Sequence, residues 1–321
     1  MDITESPIRS PVDWPGLDGA ADRRFRLLAV GDVRVEVRAV LPAGLRFTDI
    51  TSDRLAYAPA RAIVAGTAVN MARTAARYFR RVGVLARVGD DDYTPVIRRE
   101  LRRLGLRGLL RVERGTPNGV TVMLRDRPSP DRGAARLLVA DENAPSRRLS
   151  EHDVLAAAAG IRRADAVFLD GYALLSPVSR AALHRAAEIA RRHGTLVAFD
   201  LVPHDIDARL PAADVVPLLE RADVIISEAP TLARLLGLPA ATTGSAETRG
   251  LLPVLDDLVG GRPLWLLRYG ATSLEHVLAY RRGGPLLDYP TGFGENVQRT
   301  GFGDRLAAGE LYWWLAARSG R

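Results

Sequence analysis

The 321-residue chain has no cysteine and no lysine; all 45 of its Lys+Arg positions are arginine. Without cysteine there is no disulfide framework, no thiolate nucleophile and no cysteine-ligated zinc. Without lysine there is no Walker A lysine, no strand lysine of the protein-kinase type and no Schiff base to pyridoxal phosphate. A nucleotide handled by this chain would meet arginine and backbone N–H groups instead. Aromatic residues are scarce, at 6%, and do not interleave with basic ones. The formal charge of +7 is spread over helix-like stretches such as Arg98-Arg99, Arg102-Arg103 and Arg191-Arg192. Those read as solvated helix faces, which argues against a nucleic-acid partner. No apolar run is long enough to span a bilayer, so no membrane partner is expected. Residues 1–24 are polar and rich in Pro, Asp and Arg, with no hydrophobic signal core. They read as a mobile extension of a cytoplasmic protein. The five histidines, His152, His184, His193, His204 and His276, lack metal-ligand spacing. His-Glu-x-x-His, Gly-x-Ser-x-Gly and Gly-x-Gly-x-x-Gly are all missing, which removes zinc-protease, serine-hydrolase and Rossmann-dehydrogenase readings.

What is present is material for a large core, 47% hydrophobic residues, enough for one large α/β domain. Apolar strands at 25–30, 81–88, 166–170, 195–200, 224–227 and 264–268 alternate with helical stretches, including 177–192 and 231–236. Continuous apolar strands between helices indicate a doubly wound, mostly parallel sheet with helices on both faces. Four further segments behave differently. Val33 to Val40, Ala56 to Val64, Gly119 to Leu124 and Ala135 to Ala140 alternate apolar and polar residues, the period of a half-exposed strand. They predict a small separate sheet, drawn from about 33–64 and 119–140, standing over the large one as a lid. Ligands of such sheets bind beyond the carboxyl ends of the strands, where Asp170, Asp200, Glu228 and Gly270 fall.

One turn occurs twice. Thr291-Gly292-Phe293-Gly294-Glu295 is followed nine residues later by Thr300-Gly301-Phe302-Gly303-Asp304. Only the second runs into a helix-like stretch; the first reads as a loop inserted before it. A Gly-x-Gly-Asp turn opening a helix lets backbone N–H groups converge on an anion, with the helix dipole favouring negative charge. A carboxylate in that turn can act as a base beside the anion. Two other polar clusters are weaker. Asp90-Asp91-Asp92 reads as a helix N-terminus before it reads as a metal cluster. Tyr312-Trp313-Trp314 reads as helix packing or a subunit contact, partly exposed and marking an interface.

Taken in order, the first strand with its alternating continuation, the Gly66-containing turn ending in Asn70, Gly89-Asp90-Asp91 and the late Gly-x-Gly-Asp resemble the ribokinase-like, or PfkB, family of carbohydrate and nucleoside kinases. The resemblance covers residues 25 to 317. It implies a ribokinase-like fold with a β lid and transfer of phosphate from ATP, with Mg²⁺, to a hydroxymethyl group of a sugar or nucleoside. By that resemblance Asp304 is the catalytic base, and the N–H groups of Gly301, Phe302, Gly303 and Asp304 form the anion hole. Gly66 and Asn70 belong to the substrate loop. Glu36 stands where the family often has Asp, and Arg34 where ribokinases tend to have Asn; a guanidinium there could read a phosphate, a carboxylate or a base edge. Arg268, Gly270 and Thr272 fall on the nucleotide side. Glu228 aligns with the family's Asn-x-x-Glu motif and is the candidate Mg²⁺ contact, through water. Family members usually continue past the Gly-Asp helix with further helices walling the adenine site. Here the sequence reaches Arg321 one helix later, so those helices are expected to be absent. Two alternatives stand beside the sugar or nucleoside kinase: a kinase-like protein that binds without turnover, and a sugar-phosphate kinase using Arg34 on the existing phosphate. Lid strands in the family can pair between subunits, which leaves a homodimer open.

Overall fold

The computed structural model describes residues 23–127, 135–202, 205–239, 243–294 and 301–319. The readings placed on the N-terminal extension up to residue 22, on His204 and on residues 295–300 lie outside the described residues.

The described strands are β1 (Arg26–Val30), β2 (Arg34–Val40), β3 (Ala60–Ala65), β4 (Arg81–Val88), β5 (Arg107–Val112), β6 (Val120–Arg125) and β7 (Arg136–Ala140). They continue with β8 (Ala166–Asp170), β9 (Leu196–Leu201), β10 (Val224–Glu228), β11 (Leu264–Tyr269), β12 (His276–Tyr280) and β13 (Leu286–Pro290). Nine form one sheet in the order β13-β12-β11-β10-β9-β8-β1-β4-β5. From β11 to β5 every pair is parallel, and β12 and β13 add an antiparallel edge. The expected doubly wound sheet is therefore present. The sequence reading had not assigned β5, β12 or β13.

Successive residues of a strand face opposite sides, and here the two sides build two cores. Leu28, Val30, Phe199 and Trp265 pack on one face with helix Pro177–Arg192. Leu27, Ala29, Ala198 and Ile226 pack on the other with helices Thr67–Ala75 and Phe302–Arg318. Strands β8, β9 and β11 are buried along their whole length, which explains their unbroken apolar sequences.

The remaining four strands form the second sheet, β3-β2-β6-β7. Burial does not follow the apolar alternation there: β2 buries the neighbours Val35 and Glu36, β6 buries Thr121 and Met123, and β7 is exposed at every residue. Strands β2 and β3 leave and rejoin the large sheet between β1 and β4, and β6 and β7 between β5 and β8. The strand β1 lies between β4 and β8, so chain direction across the sheet reverses there. Such a reversal opens a crevice at the carboxyl ends.

For Tyr312-Trp313-Trp314 the helix-packing reading holds and the expected partial exposure is corrected. These residues are 4%, 0% and 4% exposed, so they mark no open surface. Tyr312 meets Phe25 and Phe79 edge-on at 5.4 and 5.3 Å. Their helix is apolar nearly all round and sits against the helix Thr67–Ala75, which is why it is buried. Among the described residues no helix is long and apolar enough to cross a membrane.

Candidate active site

The crevice at the carboxyl ends of the large sheet is a narrow cleft of about 120 Å³. Nine residues singled out from sequence line it together: Arg34, Glu36, Gly66, Asn70, Glu228, Arg268, Gly301, Gly303 and Asp304. They come from β2, the start of helix Thr67–Ala75, β10, β11 and the turn into helix Phe302–Arg318, so only the tertiary fold unites them.

Asp304 occupies the first turn of helix Phe302–Arg318 and is 9% exposed. Burial raises its carboxyl to about 6, while a hydrogen bond from Asn70 and the charges of Arg268, Arg305 and Arg38 oppose the rise. A carboxyl of that strength is mostly ionised at neutral pH and still able to accept a proton. Gly301 is the left-handed cap of this helix. The N–H groups of a helix's first turn have no intrahelical acceptor, so the 301–304 turn presents donors beside the carboxylate.

Arg268 holds that turn. It is 5% exposed, donates to the Gly303 carbonyl at 2.8 Å and lies 3.7 Å from Glu310, a fully buried acid that also accepts from the Tyr289 hydroxyl at 2.9 Å. Burial opposes the Arg268 charge, but Asp200, Glu310, Asp304 and Glu228 outweigh it and raise its pKa. The guanidinium packs so closely that a Cβ at position 303 would sit 2.6 Å from its Nη1. A side chain at 303 would have to displace that guanidinium.

Gly66 joins the lid to the helix bearing Asn70. Its φ is +107°, and a Cβ there would lie 2.3 Å from the Asp32 carbonyl. Asn70 in turn accepts from Arg73 Nη1 at 3.4 Å through its side-chain oxygen. On the lid, Arg34 pairs with Asp32 at 2.9 Å, and Arg38 pairs with Glu36. Burial opposes the Arg34 charge, and Asp32 and Glu36 overcome it.

Sequence reasoning had placed Asp170 and Asp200 at strand ends without giving them a role. Both are buried. Burial, with Asp32 adding to it, raises Asp170 to about 7. Burial raises Asp200 to about 8 despite Arg268, with Asp304 and Asp170 adding to the rise. Asp170 also accepts from the N–H groups of Asp32 and Tyr172, at 3.1 and 3.0 Å. Arg38, Met123 and Arg136 of the lid and Tyr172 just after β8 also line the cleft and were missed; the lid positions are specified by cross-strand register and not by motif.

Three expected site residues take other places. The Phe302 ring turns into a small apolar cluster with Leu274 and Leu306, 5.0 Å from Phe293 and beneath the Arg305 guanidinium at 5.2 Å. Its side chain is absent from the cleft lining. Gly270 and Thr272 lie in the β11–β12 connection, outside the cleft lining. The Thr272 hydroxyl donates to Glu275 at 2.6 Å. Glu228 lines the cleft and is the N-cap residue of helix Ala229–Leu235 without a side-chain capping bond. Asp91 staples its loop to Asn118, accepting the Asn118 N–H at 2.8 Å and the Tyr93 N–H at 3.0 Å.

Comparison with known proteins agrees with this architecture. The family model for pfkB family carbohydrate kinase matches residues 60–260, well over half the chain. A 2-dehydro-3-deoxygluconokinase from Thermoproteus tenax is 30% identical over 222 residues, 68% of this chain and 64% of that protein. A 5-dehydro-2-deoxygluconokinase from Geobacillus kaustophilus is 31% identical over 43% of this chain and 40% of its own length. The chain thus spans less than two thirds of the length of these relatives. Among solved structures, one described as ribokinase II from E. coli in complex with ATP and Mg²⁺ superposes with a TM-score of 0.72 at 16% identity, covering 93% of this chain and 87% of that one. The chain belongs to the pfkB family of carbohydrate kinases, and its fold is ribokinase-like.

Proposed function

We propose that this protein transfers the γ-phosphoryl group of ATP to a hydroxymethyl group of a sugar or nucleoside, with Asp304 as general base. The observation that supports this most is the position of Asp304. It is a buried carboxylate with its pKa raised to about 6, set in a helix N-terminal turn and hydrogen-bonded by Asn70. In the proposed step the acceptor oxygen attacks the γ-phosphorus, its proton passes to Asp304, and the bond to the bridging oxygen breaks to leave ADP. The 301–304 N–H groups would stabilise charge on the transferred phosphoryl.

Mg²⁺ fits the donor set only in part. The cleft offers carboxyl oxygens from Glu228, Asp200 and Asp304, the hard donors this ion prefers. No group of three or more His, Asp or Glu among the described residues is arranged to hold a metal alone. That matches an ion held chiefly by phosphates and water. Glu228 would approach it through water, and the ion would supply charge neutralisation of the phosphates. Arg268, Gly270 and Thr272 remain the proposed nucleotide side, with Arg268 acting through the turn it clamps.

Within the sugar class, a sugar acid is favoured as acceptor. The two curated relatives bear gluconate-derived names, and Arg34, Arg38 and Arg136 line the cleft beside the lid. Arginine pairs well with a carboxylate. An ADP-release screen over sugar acids, neutral sugars, sugar phosphates and nucleosides tests both statements. Turnover with at least one acceptor that collapses in Asp304→Asn supports the kinase; binding of acceptors without any ADP release overturns it.

A further inference from the structure

The opposite end of the large sheet carries a second cavity, larger than the catalytic cleft at about 500 Å³. It opens at the amino ends of β1, β4 and β5, beside the helix Ala158–Arg163. Its lining contains six arginines, Arg23, Arg26, Arg80, Arg81, Arg107 and Arg163, and no acidic residue. Its floor is apolar, with the half-buried Ala76, Leu104, Leu109 and Ala164 open to it.

Basic residues often gather where helix C-termini point. That explanation reaches Arg163, in the last turn of its helix. It does not reach Arg26, Arg81 and Arg107, which begin three strands. Arg26 and Arg81 are directly opposite each other in the β1–β4 register, a like-charge pairing that costs stability unless something negative relieves it. Asp165 relieves only Arg26, at 3.2 Å. Among the described residues, Arg81, Arg107 and Arg163 have no carboxylate partner.

We infer that this cavity binds a small polyanion with a flat apolar part, of the nucleoside polyphosphate class. The arginine rim meets the phosphates, and the apolar floor takes the base, in a pocket of the scale small ligands occupy. A nucleic acid fits less well, because the arginines ring a concavity and the one aromatic in the lining, Phe79, is 1% exposed. The site is distinct from the catalytic cleft. The two lie at opposite ends of β1, whose five residues span roughly 17 Å at about 3.3 Å per residue.

The test is calorimetric titration of the full chain with ATP and, separately, with inorganic tripolyphosphate, in the absence of Mg²⁺ and acceptor. Three proteins are compared: wild type, an Arg81→Gln/Arg107→Gln/Arg163→Gln variant, and a charge-matched control, Arg54→Gln/Arg98→Gln/Arg102→Gln, whose changes lie outside the cavity. Wild type and control should share an ATP-binding component that the cavity variant loses at least tenfold, with unchanged melting temperature. Tripolyphosphate should compete for that component at least tenfold more weakly than ATP. Identical ATP isotherms in all three proteins overturn the site. Equal affinity for tripolyphosphate and ATP overturns the nucleoside assignment and leaves a general anion patch.

Discussion

The two ends of the large sheet gather charged groups in different physical ways. At the carboxyl ends, Asp170, Asp200 and Asp304 are buried around Arg34 and Arg268, and burial pushes each carboxyl up. At the amino ends, arginines stand exposed around an apolar hollow with a single nearby acid, Asp165. The first end spends folding stability to hold reactive groups out of water. The second leaves its charges solvated, with Arg26 and Arg81 facing each other across neighbouring strands. Chemistry is therefore expected at the first end and reversible ion binding at the second.

Removing the proposed base should have the largest effect on activity. Asp304→Asn is expected to lower kcat by about 10²–10⁴, the usual contribution of a general base, with no loss of thermal stability. ADP release and a melting curve on the same sample check this, and near-wild-type turnover in a folded variant would sink the assignment. Arg268→Leu should come next, acting on stability. It strands Glu310 in the core, and breaking a buried pair in this way typically costs about 3–5 kcal/mol. Urea unfolding measures it. If Arg268→Leu unfolds at the wild-type midpoint, the clamp on the 301–304 turn is not structural.

The acid cluster predicts two pH dependences. With Asp304 at about 6, kcat/KM should rise as pH increases through 6, because the base works only when ionised. Stability should run the other way. Asp304, Asp170 and Asp200 titrate at about 6, 7 and 8 in the fold, above the ordinary aspartate value of about 3.9. The native state thus holds more protons than the unfolded chain across that range. The stability these groups contribute is fully present near pH 4 and declines as pH rises to 8. Asp91, Glu113 and Asp153, whose pKa values are lowered despite burial by hydrogen bonds and arginine contacts, act in the opposite sense below about pH 4. Unfolding at pH 5 and pH 8 should therefore show a slope that flattens in Asp200→Asn; an unchanged slope would remove Asp200 from the cluster. The smallest effect is expected at the lid. Arg136→Gln should raise KM for a sugar acid about tenfold while leaving neutral sugars unaffected. Equal effects on both would show that Arg136 does not read a carboxylate.

Much of the fold was legible because fully buried parallel strands need unbroken apolar runs, and helix Pro177–Arg192 carried its own start in Ser176 and Pro177. The edge strands were not legible. In β5 charged residues interrupt a short apolar run, and β12 and β13 are a hairpin whose pairing depends on a distant neighbour, β11. Asp304, Asn70 and Gly66 could be singled out because tight turns and helix starts leave local marks. Arg268 could be named, but not its work. Its bond to Gly303 joins positions 35 apart in sequence, and nothing local encodes that.

The sequence by itself determined the alternation of strands and helices, the presence of a polar-faced lid and the glycine turn ending in Asp304, since each follows from nearest-neighbour chemistry. Only the tertiary structure decided which acids share a buried cleft, that Phe302 and the tryptophan pair face inward, and that strand-start arginines ring a second cavity. Burial and charge proximity are properties of packed neighbours, and packing brings together residues the chain keeps far apart.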